Sequence, residues 1–189
     1  MEEKSLIKNL KVGDENAFKF LVENYKGFIY NTCLSIIQNT EEADDLTQEV
    51  FIQIFKSIKG FKGNSSLSTW IYRITISKCF EYIRFKKRKK RFSLIINLFR
   101  EDGSTIDIPQ FDHPGVQLEK KEDARLLFEA LETLNHEQKT AYILKNIQGL
   151  KYKKISKVMK KSISSIESLI FRAKKNLKIY LEKKLNDKK

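Results

Sequence analysis

The residues near the C-terminal end have the types and spacing needed to read a nucleic-acid groove. Ser164, Ser165, Glu167, Ser168, Phe171, Arg172, Lys174 and Lys175 mix short polar groups with cations. Arg pairs with guanine edges, hydroxyls pair with several base edges, and Lys suits phosphate. This is binding chemistry, in which no covalent bond changes. The segment 151–189 holds 14 Lys or Arg against three acids, Glu167, Glu182 and Asp187. A basic helical hairpin with a solvated face is the bland alternative. Glu167 has two readings. It closes a capping box, Ser164-x-x-Glu167, at a helix start. If the helix instead starts at Ser162, Glu167 faces outward in the second turn, where a carboxylate accepts from a cytosine amino group.

A second set is acidic: Glu41, Glu42, Asp44 and Asp45. Such a cluster raises metal-dependent nuclease chemistry. At helical spacing, however, these carboxylates fan around the axis, and no His or Lys partner lies near. They fit better as first-turn acids complementing a helix dipole, behind an N-cap at Asn39 or Thr40. His113 and His136 stand alone, and Cys33 and Cys79 sit in apolar helical patterns without metal spacing. Both cysteines read as reduced core residues. No cofactor, metal site or catalytic centre is expected.

Helices must position these groups. The chain has 189 residues, 41% of them hydrophobic, with a net charge of +13. That allows one medium or two small domains, and the charge suits a polyanion. No run reaches the ~18 apolar residues of a membrane span. Glu2, Glu3 and Lys4 do not make a signal-peptide core. A cytoplasmic protein is expected, with no stable membrane insertion.

The two prolines, Pro109 and Pro114, sit between Gly103 and Gly115 and place a linker over 92–118. The expected fold is all-α, with helical domains at 1–91 and 119–189 joined by this flexible linker. In the first domain, Ala17, Phe18, Leu21, Tyr25, Phe28 and Ile29 form one stripe, continued by Cys33, Leu34 and Ile37. The next helix runs to about Ile58, with Ala43, Leu46, Val50 and Ile54 on one face. A polar loop, Asn64-Ser65-Ser66, leads into a helix ending near Arg91, and from Arg84 onward every residue of it but Phe85 is basic. In the second domain, Leu126, Leu127, Ala130, Leu131 and Leu134 mark one helix. Asn135 and Gln138 read as a capping box, and Gly149 as a C-cap. Two short helices follow, Tyr152 to Lys160 and Ile163 to Tyr180. Lys160, Lys161 and Ser162 form the turn of a helix-turn-helix.

Three runs carry a family resemblance. Ala43-Asp44-Asp45-Leu46-Thr47-Gln48-Glu49-Val50-Phe51 resembles A-E-D-L-T-Q-E-V-F. The run from Phe61 to Ile74, with Thr69-Trp70-Ile71-Tyr72-Arg73-Ile74 at its end, resembles F-R-G-x-S-x-F-x-T-W-L-Y-R-I. Gly149-Leu150-Lys151-Tyr152 and the helices after it resemble G-L-S-Y-E-E-I-A and its recognition helix. The chain thus resembles extracytoplasmic-function (ECF) RNA polymerase sigma factors of the sigma-70 superfamily over most of its length.

The resemblance implies a sigma factor that directs core polymerase to promoters. A stand-alone helix-turn-helix regulator is the alternative, and it would need neither the acidic helix nor the Trp70 segment. Glu41, Asp44, Asp45, Leu46, Gln48, Glu49 and Ile52 would dock on the coiled coil of the largest polymerase subunit, with the flap as a further contact. Asn64, Ser65, Ser66 and Trp70 would melt and read the −10 element, with Trp70 mainly core. Tyr72, Arg73, Lys78, Arg84, Lys87 and Arg88 would support the melted strand. The Ser164–Lys175 set would read the −35 element. An anti-sigma factor, in this family commonly membrane-anchored, would be a further partner and could hold the chain at a membrane. Departures fall in the turn, where Lys160, Ser162 and Ser164 stand in place of Gly, Pro and Gly, and at Glu167 and Leu169, where basic residues are common.

Overall fold

The computed structural model describes residues 2–98 and 126–187, with side chains described to residue 89 in the first stretch. The proline-bearing segment and His113 lie outside these residues. Every regular element described is helical.

Helix α1, Glu3–Val12, buries Leu6 and Leu10 and stops at Gly13, whose φ of +84° lies in the left-handed region that glycine adopts freely. Asp14 then caps α2, Glu15–Ile37, by accepting a hydrogen bond from the Ala17 amide at 2.7 Å. Helix α2 buries Ala17, Leu21, Ile29 and Cys33. Asn39 caps α3, Thr40–Ser57, through the Glu42 amide at 2.9 Å, and Ala43, Leu46, Val50 and Ile54 face inward. A short 3-10 turn, Ile58–Gly60, leads into the polar loop. The Ser66 hydroxyl accepts from the Thr69 amide at the start of α4, Leu67–Leu98. At 1.5 Å per residue α4 is roughly 48 Å long.

Helices α1 to α4 enclose one core around Leu21, Ile29, Val50, Ile54, Leu67 and Ile71. Cys33 of α2 and Cys79 of α4 meet inside it, with sulfurs 3.7 Å apart, both unbridged. Burial and its Cys33 partner hold the Cys79 thiol well above the usual thiol range, which keeps it protonated.

In the second domain, α5 spans 126–132 and α6 spans His136–Tyr142. Asn135 caps α6 through the Gln138 amide at 3.0 Å. The Gln138 side chain accepts from Asn176 of the last helix, so it links two helices instead of returning to the cap. Helix α6 widens into a π turn, Ile143–Ile147, and Gly149 ends it at a φ of +67°. Helices α7, Tyr152–Met159, and α8, Ile163–Asn186, complete the chain.

The two domains share packing. Tyr72, with Phe28 and Ile76 beside it, belongs to the cluster built from Ala141, Leu144, Ile155, Val158, Ile166, Leu169 and Ile170. Ile143 in turn joins the N-terminal core. Buried Lys139 donates to the Ile36 carbonyl at 3.1 Å and pairs with Glu132.

Ile54 has no exposed surface. Ile54→Ala should therefore cost about 2–5 kcal/mol. Urea unfolding followed by the fluorescence of Trp70, the only tryptophan, measures this. An unchanged midpoint would mean that the site collapses without loss.

Candidate nucleic-acid interface

The helix-turn-helix is built on its caps. Ser162 is the N-cap of α8, its hydroxyl accepting from the Ser165 amide at 3.2 Å. Helix α8 therefore starts at Ile163, and Ser164 lies within the first turn. The Ser164-x-x-Glu167 box does not form. Glu167 stands exposed in the second turn, the outward of its two readings. Ile166, Leu169, Ile170, Ala173 and Leu177 face inward.

The opposite side of α8 is open. Glu167, Ser168, Phe171 and Arg172 line a shallow depression there, and Phe171 is 70% exposed. Ser168 donates to the Ser164 carbonyl, and the Arg172 Nε donates to the Ser168 carbonyl at 3.2 Å. Ser164, Lys174 and Lys175 are exposed along the same helix, while Ser165 is half-buried. A row of hydroxyls, one carboxylate, one guanidinium and one aromatic face suits base edges, with the lysines suited to phosphate. Leu169 is a buried core residue, so the family's basic side chain there would have no solvent to enter.

The turn carries strain. Lys160 adopts φ +54°, ψ +44°, a conformation that non-glycine residues pay about 1–2 kcal/mol to occupy. Its neighbours hold it there. Ser156 donates to the Lys161 carbonyl at 2.5 Å, and Lys161 pairs with Glu137 at 2.8 Å.

The second candidate surface is the start of α4. Asn64 is exposed and Ser65 half-buried. Trp70 is half-buried with its ring tilted against Phe61 at 5.0 Å, in contact with the N-terminal core. Tyr72 is buried and stacks on Phe28 at 4.4 Å, and burial pushes its phenol pKa up. The Arg73 guanidinium donates to the Lys157 carbonyl at 2.6 Å and the Val158 carbonyl at 3.3 Å, at the end of α7. The Lys154 ammonium of α7 donates to Ser66 at 3.0 Å and Ser68 at 2.6 Å. Burial pushes the Lys154 pKa down, partly countered by Glu3. Arg84, Lys87 and Arg88 are exposed further along α4, and Lys78 lies 3.6 Å from Glu49. The structure thus gathers Ser66, Tyr72 and Arg73 under α7 and leaves Asn64 and the distal cations open.

The third surface is the outer face of α3. Glu41, Asp44, Asp45, Gln48, Glu49 and Ile52 are exposed, whereas Leu46 is 2% exposed and lies in the core beneath them. The carboxylates form a stripe. Among the described residues, no three His, Cys, Asp or Glu side chains are placed to share a metal ion. Glu42 pairs with Lys86 of α4. Phe55, which the sequence reading passed over, extends the stripe at 55% exposure, held edge-on against Phe18 at 5.4 Å. Its signal was available: Phe55 follows Ile52 by three residues, off the buried stripe.

Residues 21–89 match the family described as Sigma-70 region 2, and residues 124–177 match Sigma-70, region 4. The ECF RNA polymerase sigma factor SigW of Bacillus subtilis is 30% identical over 182 residues, covering 93% of this chain and 94% of that protein. The ECF RNA polymerase sigma-E factor of Haemophilus influenzae is 27% identical over 178 residues, covering 92% of each. Among solved structures, CnrH in complex with the cytosolic domain of CnrY superposes with a TM-score of 0.69 at 19% identity, covering 95% of this chain and 97% of that one. The sigma factor RpoE of Bartonella quintana, in complex with the anti-sigma factor NepR, gives 0.64 at 21% identity, covering 87% and 96%. These two likenesses concern the fold.

If Lys160 is strained, Lys160→Gly should stabilise the chain by about 1 kcal/mol, a rise of roughly 2–4 °C in melting temperature for this size. Calorimetry reads it. A fall in melting temperature would mean that the turn gains more from the lysine than it loses to strain.

Proposed function

Because this chain belongs to the ECF RNA polymerase sigma factors, we propose that it works through three surfaces on the polymerase. Residues 1–91 form the module that docks on the core and handles the −10 element. Residues 92–118 connect it to the −35 module, residues 119–189. The outer face of α3, from Glu41 to Ile52 and on to Phe55, meets the coiled coil of the largest subunit. The exposed row of α8 reads the −35 major groove.

One observation carries this reading. The same chain presents an acidic, partly apolar helix face and an open, basic recognition helix. Acid repels DNA, so the α3 face serves a protein partner of positive charge. A regulator acting on duplex DNA alone has no use for it. Sigma factors are initiation factors, and the catalysis of transcription belongs to the polymerase; we extend this to the present chain, with no cofactor of its own.

An anti-sigma factor is a further proposed partner. CnrH and the Bartonella RpoE were each solved with a partner bound, NepR being an anti-sigma factor. No helix among the described residues is long and apolar enough to cross a membrane. The bacterial cytoplasm is the proposed location, with such a partner as the proposed means of any hold at a membrane.

Reconstitution of the full chain with core polymerase tests the reading. Promoter-specific initiation is expected; no measurable binding to core would sink it. Asp45→Lys should weaken core binding by about tenfold or more, since a like charge facing a basic partner costs at least 1.4 kcal/mol. Titration of labelled core reads this, and unchanged affinity would remove Asp45 from the interface. Arg172→Ala should cost roughly 1–3 kcal/mol of promoter binding, confined to the sequence it reads, if Arg172 meets a base. A smaller loss, equal on all sequences, would place it on phosphate.

A further inference from the structure

The exposed row of α8 offers an uneven set of hydrogen-bonding groups. Glu167 and Ser168 stand side by side in its second turn, both exposed. An ionised carboxylate only accepts hydrogen bonds. The Ser168 hydroxyl has a single proton, and it is spent on the Ser164 carbonyl at 2.9 Å, so its oxygen shows lone pairs to the groove. The salt bridges around α8 run elsewhere, Lys161 to Glu137 and Lys178 to Glu182, and among the described residues none takes Glu167. The Arg172 Nε is spent on the Ser168 carbonyl at 3.2 Å. The depression between Glu167, Ser168, Phe171 and Arg172 thus has one wall made only of acceptors.

We propose that Glu167 selects cytosine in the −35 groove, the amino group of that base being the donor its carboxylate requires. This rests on the −35 reading given under Proposed function and assigns one base to one side chain. Acceptors that face a duplex need donors, and in the major groove only cytosine N4 and adenine N6 supply them. Guanine O6 and N7 and thymine O4 would set lone pairs against the carboxylate. A desolvated charge without a partner is costly, so those bases are rejected and not merely left unread. Adenine ranks second, because N7 beside its amino group also repels an acceptor, whereas cytosine has only a C–H there. A cation at this position would demand the reverse, the paired acceptors of guanine. Changing the sign of the charge therefore inverts the base requirement while the helix and its Ser162 cap stay as they are. Ser168 reinforces the choice. A hydroxyl with a free proton tolerates either kind of edge, but this one cannot turn donor without losing its bond to Ser164. Glu167 adds nothing to backbone affinity, since it repels phosphate; its contribution is discrimination.

Glu167 is exposed, so replacing it leaves the core intact. Core polymerase loaded with the full chain serves to select duplexes from a library randomised over the −35 element, and then to measure binding to the selected sequence. The parent should enrich a C·G pair at one position. Glu167→Gln should replace it there with A·T, because an amide bonds adenine N6 and N7 together, and the other positions should hold. Deleting the amino group, with 2-pyrimidinone in place of that cytosine, should weaken binding by the parent about tenfold and leave Glu167→Ala unaffected. This deletion separates the cytosine from the guanine it pairs with. Three results would overturn the proposal: a parent that enriches no C·G pair, a Glu167→Gln chain that selects the parent's sequence, or an amino deletion that changes the parent and Glu167→Ala by the same factor. A holoenzyme that initiates from promoters yet enriches nothing at −35 would overturn the −35 reading instead, and the base assignment with it.

Discussion

Phe28 and Tyr72 stack at 4.4 Å with their planes 26° apart, and at this pair the N-terminal core becomes the C-terminal one. Phe28 comes from α2 and Tyr72 from α4, and both are packed into the cluster built by α6, α7 and α8. Stacked aromatics contribute beyond their buried area, by about 0.5–1.5 kcal/mol. The position matters more than the energy. With these rings in place, α4 lies where its Arg73 meets the end of α7 and its early serines meet Lys154. Ser66, Ser68 and Arg73 thereby become partners of the helix-turn-helix.

The surfaces are set by how helices begin and end. Asp14, Asn39, Asn135 and Ser162 each accept the amide three residues on, which fixes the first turn of α2, α3, α6 and α8. The first residue fixes the phase, and the phase decides which side chains face out. Starting α8 after Ser162 turns Glu167, Ser168 and Phe171 to solvent and buries Ile166, Leu169 and Ile170. The connecting turn has no glycine, and Lys160 takes the left-handed conformation in its place. The strain is localised to one residue, held by the bonds that Ser156 and Lys161 make around it.

Features that depend on local chemistry were legible in the sequence. The Asn135 cap, a cap at Asn39 or Thr40, the stop at Gly149, the inward stripes of α2 and α3 and the start of α7 need only spacing and side-chain type, whereas the backbone decides that Asn39 accepts the Glu42 amide and that α7 ends at Met159. Helix α1 carries four apolar residues, Leu6, Ile7, Leu10 and Val12, but at ten residues it is too short for their period to stand out. Glu167 stayed open between two readings because Ser162 and Ser164 are both good caps, and only the backbone geometry separates them. The Cys33–Cys79 contact, the Lys139 bond to the Ile36 carbonyl and the docking of α7 on α4 join residues 46 to 103 positions apart. No local pattern encodes such pairings. The family resemblance assigned Arg73 and Ser66 to a strand without showing that α7 holds them here.

The acids of α3 follow from the same neighbour relations. The chain carries +13 overall, yet α3 is acidic along its outer face and lies beside the cationic stretch of α4. Glu42 meets Lys86 and Glu49 meets Lys78 across that groove. Exposed pairs of this kind contribute only about 0–1 kcal/mol each, because water screens them and ordering the side chains costs entropy. They restrain α3 weakly, so a basic partner helix can take over those carboxylates with little loss. The lysines released in the exchange lie on α4, on the side leading to Arg84, Lys87 and Arg88. Docking a basic partner on α3 would therefore raise the positive potential along α4, where a nucleic-acid backbone is expected to run. Through these weak pairs, the acidic face of α3 and the cationic face of α4 are electrostatically linked.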